Sequence, residues 1–210
     1  MRLFALGATG HTGKLLVDLA LAAGHEVTAF VRSPDKLSPR DRLTIVPGDV
    51  LQPDALAEAM RDHDALVSTL GVRTLATHDF IARSTAALVT AATTVGPRRV
   101  VVMSAFGVGD SIDKASLGMK FMLRSAGKPV QDDKEAGERV LTASDLDWTV
   151  VYPVILGNGP AKGYRAVDLA ELDHLPGYPR ITRADVAAFL LEAAGDPKWV
   201  RRRVVVTGAD

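Results

Sequence analysis

A glycine-rich turn close to the start of the chain constrains the fold more than any other segment. Residues 7–13 read GATGHTG and lie between an apolar, strand-like run that ends at Leu6 and an amphipathic run that follows. Gly7 can adopt the backbone angles of a sharp strand-to-helix turn, Gly10 lets the backbone approach a phosphate, and Gly13 lets the helix pack closely. The first N–H groups of that helix then face an anion at the positive end of the helix dipole. The segment therefore predicts a β-turn-α unit that binds the pyrophosphate of a dinucleotide.

The spacing GxxGxxG differs from the more usual GxGxxG, so a tight turn without a ligand is the alternative interpretation of the glycines alone. The rest of the chain supplies the context, because runs rich in β-branched residues alternate with helical patterns. The predicted strands are Leu3–Leu6, Glu26–Val31, Leu43–Val46, Ala65–Thr69, Arg99–Met103, Asp147–Val151 and Arg203–Val206. The predicted helices are Thr12–Ala23, Pro53–Met60, Asp79–Val95, Asp132–Ser144 and Arg183–Ala194.

This alternation predicts the α/β class. Several strands are continuous apolar runs, such as Val100-Val101-Val102, which is typical of a parallel sheet covered by helices on both faces. A chain of 210 residues, 47% of them hydrophobic, is long enough for one core and short for two. We therefore predict a single doubly wound Rossmann domain over residues 1–210, with a mostly parallel sheet and a small C-terminal portion that covers the substrate.

Charge and cysteine content exclude several classes of function. The 25 Lys and Arg residues balance the 25 Asp and Glu residues, so bulk charge favours neither nucleic acid nor an anionic membrane as a partner. Without cysteine the chain cannot use disulfides, thiolate catalysis or cysteine-ligated metals, and we predict no metal site. The chain opens on a core strand and carries no apolar run of membrane-spanning length. We expect a soluble, cytoplasmic protein.

The end of the second predicted strand indicates which dinucleotide is bound. Arg32 follows the strand directly, with Lys36 close by and no acidic residue beside it. A carboxylate at this position would hold the ribose hydroxyls of NAD and repel a 2′-phosphate, whereas an arginine can pair with that phosphate. The sequence predicts NADP(H) as the cofactor; an ordinary solvated arginine is the alternative interpretation.

Three further strand ends are expected at the same edge of the sheet. After the third strand, Asp49 lies at the adenine end, where it either accepts a hydrogen bond from the adenine amino group or acts as a turn residue. After the fourth strand, Gly71 allows the backbone to run beside the ribose and phosphates. After the fifth, Ser104 lies near the nicotinamide half. The candidate cofactor contacts at these ends are Asp49, Val50, Leu70, Gly71, Ser104 and Ala105.

Segments spread along the whole chain resemble the atypical short-chain dehydrogenase/reductases. They are GATGHTG, VRSPDKL, GDV, STLG, MSAFG, DKEAGERVLTASDLDWTVVYP and ITRADVAAFLLEA, and the resemblance runs from Met1 to about Gly208. The glycine motif marks the superfamily. The segments DLDWTVVYP and ITRADVA are more specific to a branch of NAD(P)H-binding proteins similar to biliverdin reductase B, also known as flavin reductase.

The resemblance also assigns roles to single residues. It places Arg32 at the 2′-phosphate, Ser104 near the nicotinamide, and Pro153 where the sixth strand meets the nicotinamide ring. It implies that the pyrophosphate is contacted by Gly7, Thr9, Gly10, His11, Thr12 and Gly13.

The chain departs from the standard short-chain reductases in its catalytic acid. Those enzymes use a Tyr-x-x-x-Lys pair, in which the lysine lowers the pKa of the tyrosine. None of Tyr152, Tyr164 and Tyr178 has a lysine four residues later, so reduction of simple ketones is not expected. Lys134 is the remaining candidate acid or contact to a substrate phosphate, and a solvated lysine is the alternative. Ser104 and Lys134 are the predicted catalytic residues.

Two segments are predicted to lie on the substrate side. Val108–Gln131 follows the fifth strand with weak periodicity, so it either covers the substrate or forms a mobile surface loop with a short helix. Residues 154–180 follow the sixth strand and form the second candidate loop.

The predicted function is hydride transfer from NADPH to a small conjugated acceptor resembling a flavin, quinone or tetrapyrrole. A ketone becomes an alkoxide that needs an immediate proton, whereas a flavin accepts hydride at nitrogen, so positioning supplies most of the rate. A non-enzymatic NADP(H) sensor that engages a partner is the main alternative. A relative of the sugar-nucleotide epimerases is a weaker one, because those enzymes need a larger C-terminal domain. We expect a monomer or a small homo-oligomer.

Overall fold

The computed structural model describes residues 1–71, 79–125 and 128–209. The strands within them are β1 (Arg2–Leu6), β2 (Glu26–Val31), β3 (Leu43–Pro47), β4 (Ala65–Ser68), β5 (Arg99–Met103), β6 (Asp147–Pro153), β7 (Ile155–Gly157), β8 (Tyr164–Asp168), β9 (Arg180–Thr182) and β10 (Arg202–Gly208). The α-helices are α1 (His11–Ala22), α2 (Pro53–Ala59), α3 (Phe80–Thr94), α4 (Leu117–Ser125), α5 (Lys128–Thr142) and α6 (Arg183–Gly195).

Eight of these strands form one sheet in the order β3-β2-β1-β4-β5-β6-β10-β8. Every neighbouring pair is parallel except β10 and β8, which are antiparallel. The chain builds outward from β1 to β3 and then returns to place β4 on the other side of β1. Ligands of such sheets bind outside the carboxyl ends of the strands at this reversal. The topology therefore predicts a ligand site at the carboxyl ends of β1 and β4.

Helices cover both faces of the sheet, as the apolar strands predict. Helices α1 and α6 pack together on one face, and α3 packs against α2 and α5 on the other. The central strands are fully buried, for example at Phe4, Val101 and Val150. This arrangement confirms the predicted Rossmann-like α/β class. No helix of the described residues is long and apolar enough to cross a bilayer.

Helix α5 fixes the start of α3, and this contact shapes the sheet edge where the site lies. The carboxylate of Asp133 accepts hydrogen bonds from the backbone N–H groups of Ile81 and Ala82, each at 2.9 Å. Those N–H groups belong to the first turn of α3, where a helix has no acceptor of its own. A Cβ at Gly137 would lie 3.0 Å from Thr85 Oγ1, so glycine lets the two helices pack closely.

The structure differs from the sequence prediction in two regions. Val108–Gln131, predicted as a substrate cover or a surface loop with a short helix, contains a 3₁₀ helix (Gly109–Lys114), α4 and the start of α5. Helix α4 buries Met119 but leaves Leu117 86% exposed, so its apolar face gives little periodic signal. In residues 154–180 the prediction missed β7, β8 and the start of β9. Strands of three residues, as in β7 and β9, are too short to show alternation.

Candidate functional site

The connection between β1 and α1 packs tightly against the end of β4. Gly7 has a φ of +76°, and a Cβ there would lie 2.7 Å from Thr69 Oγ1. A Cβ at Gly13 would lie 2.2 Å from the carbonyl oxygen of Gly7. Gly10 differs, since a Cβ there would approach a single described atom within 4 Å, the Gly7 carbonyl oxygen at 3.2 Å. The loop is therefore closed on its inner side and open at Gly10.

The start of α1 provides donors beside this open side. The helix begins at His11, and Lys14 N–H donates to the Gly10 carbonyl at 2.9 Å. The N–H groups of His11, Thr12 and Gly13 precede this first intrahelical bond, so they remain available to an anion together with the helix dipole. Thr9 and Gly10 lead directly into that turn. These residues fit the pyrophosphate of a dinucleotide, because the open loop leaves space for it in front of the donors.

Thr69 joins the two strand ends on either side of the crevice, although it was not among the predicted contacts. Its backbone N–H and its hydroxyl both donate to the Leu6 carbonyl, at 3.0 and 3.1 Å. Leu70 is half-buried after it, and Gly71 is exposed with no described atom within 4 Å of a Cβ there. Thr69 belongs to the STLG segment of the family resemblance, and that segment is the sequence signal that could have identified it.

Arg32 lies directly after β2 with an exposed side chain. Its Cζ atom is 5.9 Å from the ring centroid of Phe80 at the start of α3, a cation–π distance. Within residues 1–71, 79–125 and 128–209 it makes no ion pair with a carboxylate. The guanidinium donors are therefore free to bind a phosphate.

The turn after β3 contains the two predicted adenine-side residues. One oxygen of Asp49 accepts from the Leu51 N–H at 3.0 Å, so the turn role proposed as one alternative is present. Val50 is buried in the core. A Cβ at Gly48 would lie 2.1 Å from the Phe30 ring, so the turn packs directly on β2. Contact of Asp49 with an adenine stays a prediction.

Ser104 belongs to a buried hydrogen-bonded group at the ends of β5 and β6. Its hydroxyl donates to Oε1 of Glu138 on α5, and the Tyr152 hydroxyl donates to Oε2 of Glu138 at 2.6 Å. Ser104, Glu138 and Tyr152 are 5%, 6% and 1% exposed. Sequence reasoning missed Glu138, because its two partners are 34 and 14 residues away in the chain.

Burial shifts the pKa values of Glu138 and Tyr152. Burial raises the pKa of the Glu138 carboxyl group, while the two hydroxyl donors and the positive charges of Arg203 and Lys134 oppose that rise. Burial and the nearby Glu138 carboxylate raise the pKa of the Tyr152 hydroxyl. Tyr152 therefore stays protonated and serves as a fixed donor. Since the Ser104 proton is directed at Glu138, the Ser104 oxygen presents its lone pairs to other donors.

Lys134 precedes Glu138 by one turn of α5. The two side chains line a small hollow with Ser104, between α3, α5 and the end of β5. Burial lowers the pKa of the Lys134 ammonium group, and the charges of Glu138 and Asp133 oppose that shift. In the described part of the chain Lys134 has no hydrogen bond or ion pair, although it keeps part of its surface exposed. The structure thus brings both predicted catalytic residues to one place.

The ends of β5 and β6 are held together at this place. Ser104 N–H donates to the Val151 carbonyl at 2.8 Å, and Phe106 N–H donates to the Pro153 carbonyl at 3.0 Å. Ala105 is half-buried between these bonds, and Pro153 is buried as the last residue of β6. The predicted nicotinamide contacts Ser104, Ala105 and Pro153 are therefore neighbours in space.

A cavity of about 900 Å³ opens on the far side of β6, at the carboxyl end of β10. Its walls come from β8, β9, the segment between them and the start of α6. Four strand intervals of about 4.8 Å separate β1 from β10, so the cavity lies about 20 Å from the glycine turn. The turn, the Ser104 group and the cavity thus follow one another along a single edge of the sheet.

Comparisons with known proteins agree with this geometry. A family model described as NAD(P)H-binding matches residues 7–197. An oxidoreductase of Pestalotiopsis microspora is 27% identical over 212 residues, a match that covers 91% of this chain and 78% of that protein.

Two solved structures share the fold. ChuY, an anaerobilin reductase of Escherichia coli, has a TM-score of 0.80 at 24% identity, over 100% of this chain and 98% of that one. A short-chain dehydrogenase/reductase of Veillonella parvula in complex with NADP has a TM-score of 0.81 at 19% identity, over 99% of this chain and 94% of that one. Because the family match extends from the glycine turn almost to the last strand, the chain belongs to the NAD(P)H-binding family.

Proposed function

We propose that the protein is an NADPH-dependent oxidoreductase that passes hydride to a flat conjugated acceptor. The observation that carries this proposal is the order of sites along one sheet edge: the open glycine turn, the Ser104 group, and a cavity large enough for a ring system. NADPH would supply the hydride. The chain's own residues would bind it, orient it and hold the acceptor against it.

Arg32 supports NADPH over NADH. The exposed guanidinium lies at the strand end where the 2′-phosphate of NADP(H) is bound in Rossmann folds. Its position over the Phe80 ring limits its rotamers and leaves its donors free. The Veillonella relative in complex with NADP supports the same assignment.

Two of the three tyrosines, Tyr152 and Tyr164, support an acceptor that needs no strong acid from them. Tyr152 donates to a buried carboxylate, and Tyr164 donates to Glu192, and both tyrosine pKa values are raised. A tyrosine activated for acid–base catalysis needs the opposite shift. An acceptor that takes hydride into a conjugated ring spreads the new charge over that ring. Solvent or a nearby ammonium group can then deliver the proton.

Ser104 and Lys134 would act on the two reactants in different ways. The Ser104 oxygen, with its own proton directed at Glu138, would accept a hydrogen bond from an amide or ring N–H and so orient it. Lys134 has a lowered pKa, which makes its ammonium group a stronger acid than a free lysine. It would protonate the reduced acceptor or attract its negative charge.

The activities of two similar proteins support the same reaction class. The Pestalotiopsis protein is an oxidoreductase, and ChuY is an anaerobilin reductase. For this chain we propose a flavin-, quinone- or tetrapyrrole-like acceptor.

Stopped-flow absorbance at the NADPH band tests the proposal with FMN, a naphthoquinone, biliverdin and cyclohexanone as acceptors. We expect NADPH consumption with at least one conjugated acceptor and none with the ketone. Lys134→Ala should lower turnover about 10- to 100-fold, since general acids contribute at least that much, and Ser104→Ala should lower it without abolishing it. Arg139→Ala, which removes an exposed cation from the same helix, is the control.

Tight NADPH binding without consumption by any conjugated acceptor would contradict the enzymatic proposal. That result would favour the alternative of an NADP(H) sensor, because a sensor binds the nucleotide without turning it over.

A further inference from the structure

The cavity at the carboxyl end of β10 has an apolar base. Val205 and Val167 face each other across the antiparallel pair of β10 and β8, and both line the cavity. Leu175 and Ile181 line it from the segment after β8 and from β9. Apolar side chains on two sides of a cavity of about 900 Å³ suit a flat ring system.

Cationic side chains surround this apolar base. Lys162, Arg165 and Arg180 all line the cavity and are exposed, and His174 lies with them. Within the described ranges none of the three cations has an ion pair or a side-chain hydrogen bond. Their positive charge is therefore uncompensated in a chain whose formal net charge is zero.

The arginines at the start of β10 provide the contrast. Arg201 pairs with Asp145 at 3.9 Å, Arg202 with Asp168 at 3.0 Å, and Arg203 with Asp110 at 3.0 Å. The chain thus matches cations with carboxylates at the amino end of this strand. At the carboxyl end, the cations of the cavity have no carboxylate partner among the described residues.

The carboxylate of Asp185 lines the same cavity but is already fully engaged. It is 2% exposed and accepts from the Lys162 and Gly163 N–H groups at 2.9–3.1 Å and from the Thr182 hydroxyl at 2.7 Å. These bonds anchor the loop that carries Lys162 to the start of α6. Asp185 therefore positions one of the cations and has no free oxygen facing the others.

We propose that this cavity binds an acceptor through an anionic substituent, a carboxylate or a phosphate, held by Lys162, Arg165 and Arg180 while the ring lies on Val167 and Val205. The inference rests on the proposed hydride transfer, because it names the chemical class of that reaction's acceptor. Arginine binds both anions through paired N–H donors, and an apolar wall beside the ion pair excludes water and strengthens it.

Two matched pairs of probes test the inference and show whether the bound anion is a phosphate or a carboxylate. FMN and riboflavin share a ring system and differ by a phosphate; biliverdin and its dimethyl ester differ by ionised carboxylates. Affinities are measured in the presence of NADP⁺, which cannot donate hydride, by quenching of flavin fluorescence and by absorbance titration. We expect the anionic member of at least one pair to bind roughly tenfold more tightly, because each charge-assisted bond contributes about that factor.

The variants Arg165→Gln and Arg180→Gln should each reduce this preference, and the double variant should reduce it further and leave only the contribution of Lys162. Arg61→Gln is the control, since Arg61 is equally exposed and lies in the turn after α2, away from the cavity. Circular dichroism and NADP⁺ affinity report whether each variant is folded.

Equal binding of the charged and neutral members of both pairs, or an unchanged preference in the double variant, would overturn the inference. A preference for FMN assigns the site to phosphate, and a preference for biliverdin assigns it to carboxylates. NADPH consumption together with equal binding of the charged and neutral members of both pairs would leave the proposed reaction standing and reject the anionic site. An arginine-dependent preference without NADPH consumption would support the site and reject the reaction.

Discussion

Arg32 has an exposed guanidinium directly after β2, beside the Phe80 ring and, among the described residues, without a carboxylate partner. Arg32→Ala should weaken NADPH binding by about 10- to 100-fold, since charge-assisted bonds to phosphate contribute roughly 1.5–3 kcal/mol. NADH binding should change little, because NADH lacks the 2′-phosphate. Calorimetric titration of both nucleotides measures the difference, with Arg61→Ala as the control for loss of an exposed arginine. An equal loss of affinity for the two nucleotides would contradict the assignment.

Glu138 makes the free energy of unfolding depend on pH in a direction that can be checked. Its pKa is raised in the folded state by burial, so ionisation is easier in the unfolded chain. Stability from this group is complete below the ordinary glutamate pKa and is lost as pH rises through the raised folded value. Glu138→Gln cannot ionise and can still bond both hydroxyl groups.

The variant should therefore gain stability relative to the wild-type protein as pH increases from about 4 to 8. Denaturant unfolding at a series of pH values measures this difference, and Glu171→Gln, at an exposed glutamate, provides the matched control. A difference between Glu138→Gln and the wild-type protein that stays constant with pH would show that Glu138 keeps its ordinary pKa.

Single residues differ in how far the sequence could predict them. Gly7 and Gly13 can be predicted from local geometry, because the turn gives Gly7 a positive φ and brings a Cβ at Gly13 against the Gly7 carbonyl oxygen. Glu138 could not be found that way, since its hydrogen bonds reach β5 and β6 from α5. Tyr152 was considered only for a partner four residues later, whereas its partner lies 14 residues earlier.

At the scale of elements, a substitution at the start of α1 should weaken NADPH binding much more than it destabilises the fold. A valine at Gly10 would extend from a backbone position with a single described atom within 4 Å, so it would fill the space in front of the helix N-terminus. Gly10→Val should reduce NADPH affinity at least 100-fold and cost about 1 kcal/mol of stability through the poorer N-cap. Isothermal titration and thermal unfolding measure the two effects.

Gly195→Val is the control for the added side chain, because no described atom lies within 4 Å of a Cβ at the end of α6. It should keep its NADPH affinity. A folded Gly10→Val protein that binds NADPH normally would place the phosphate site elsewhere.

The elements also show where sequence patterns stop being informative. Helices α2 and α6 were predicted to within one residue at each end, whereas α5 begins four residues before its predicted start. The cap of α6 is local, because the Asp185 N–H donates to Thr182 Oγ1, three residues earlier, at 3.1 Å. The acceptor for the start of α3 comes instead from Asp133, about fifty residues later, and no local rule contains it.

At the scale of the whole molecule, the two segments predicted on the substrate side are joined to each other. Leu175 N–H donates to the Lys114 carbonyl at 2.7 Å, and the Ser116 hydroxyl donates to the Gly177 carbonyl at 2.9 Å. Residues Ala115 and Leu175 also form a parallel β-bridge. The sequence pattern predicted each segment at the carboxyl edge but did not predict these hydrogen bonds between them, because they join residues about sixty positions apart.

Because of these bonds, we expect the two segments to respond to an acceptor as one unit. Local opening of exposed segments controls hydrogen exchange, and a ligand that bridges two segments suppresses the opening of both. NADP⁺ alone should protect residues 7–13 from exchange, and addition of FMN or biliverdin should extend protection to residues 108–125 and 154–182 together. Peptides from β2 and β3 serve as the internal control, since they lie at the opposite end of the sheet. Protection of 154–182 with no change in 108–125 would show that the segment after β5 does not cover the acceptor.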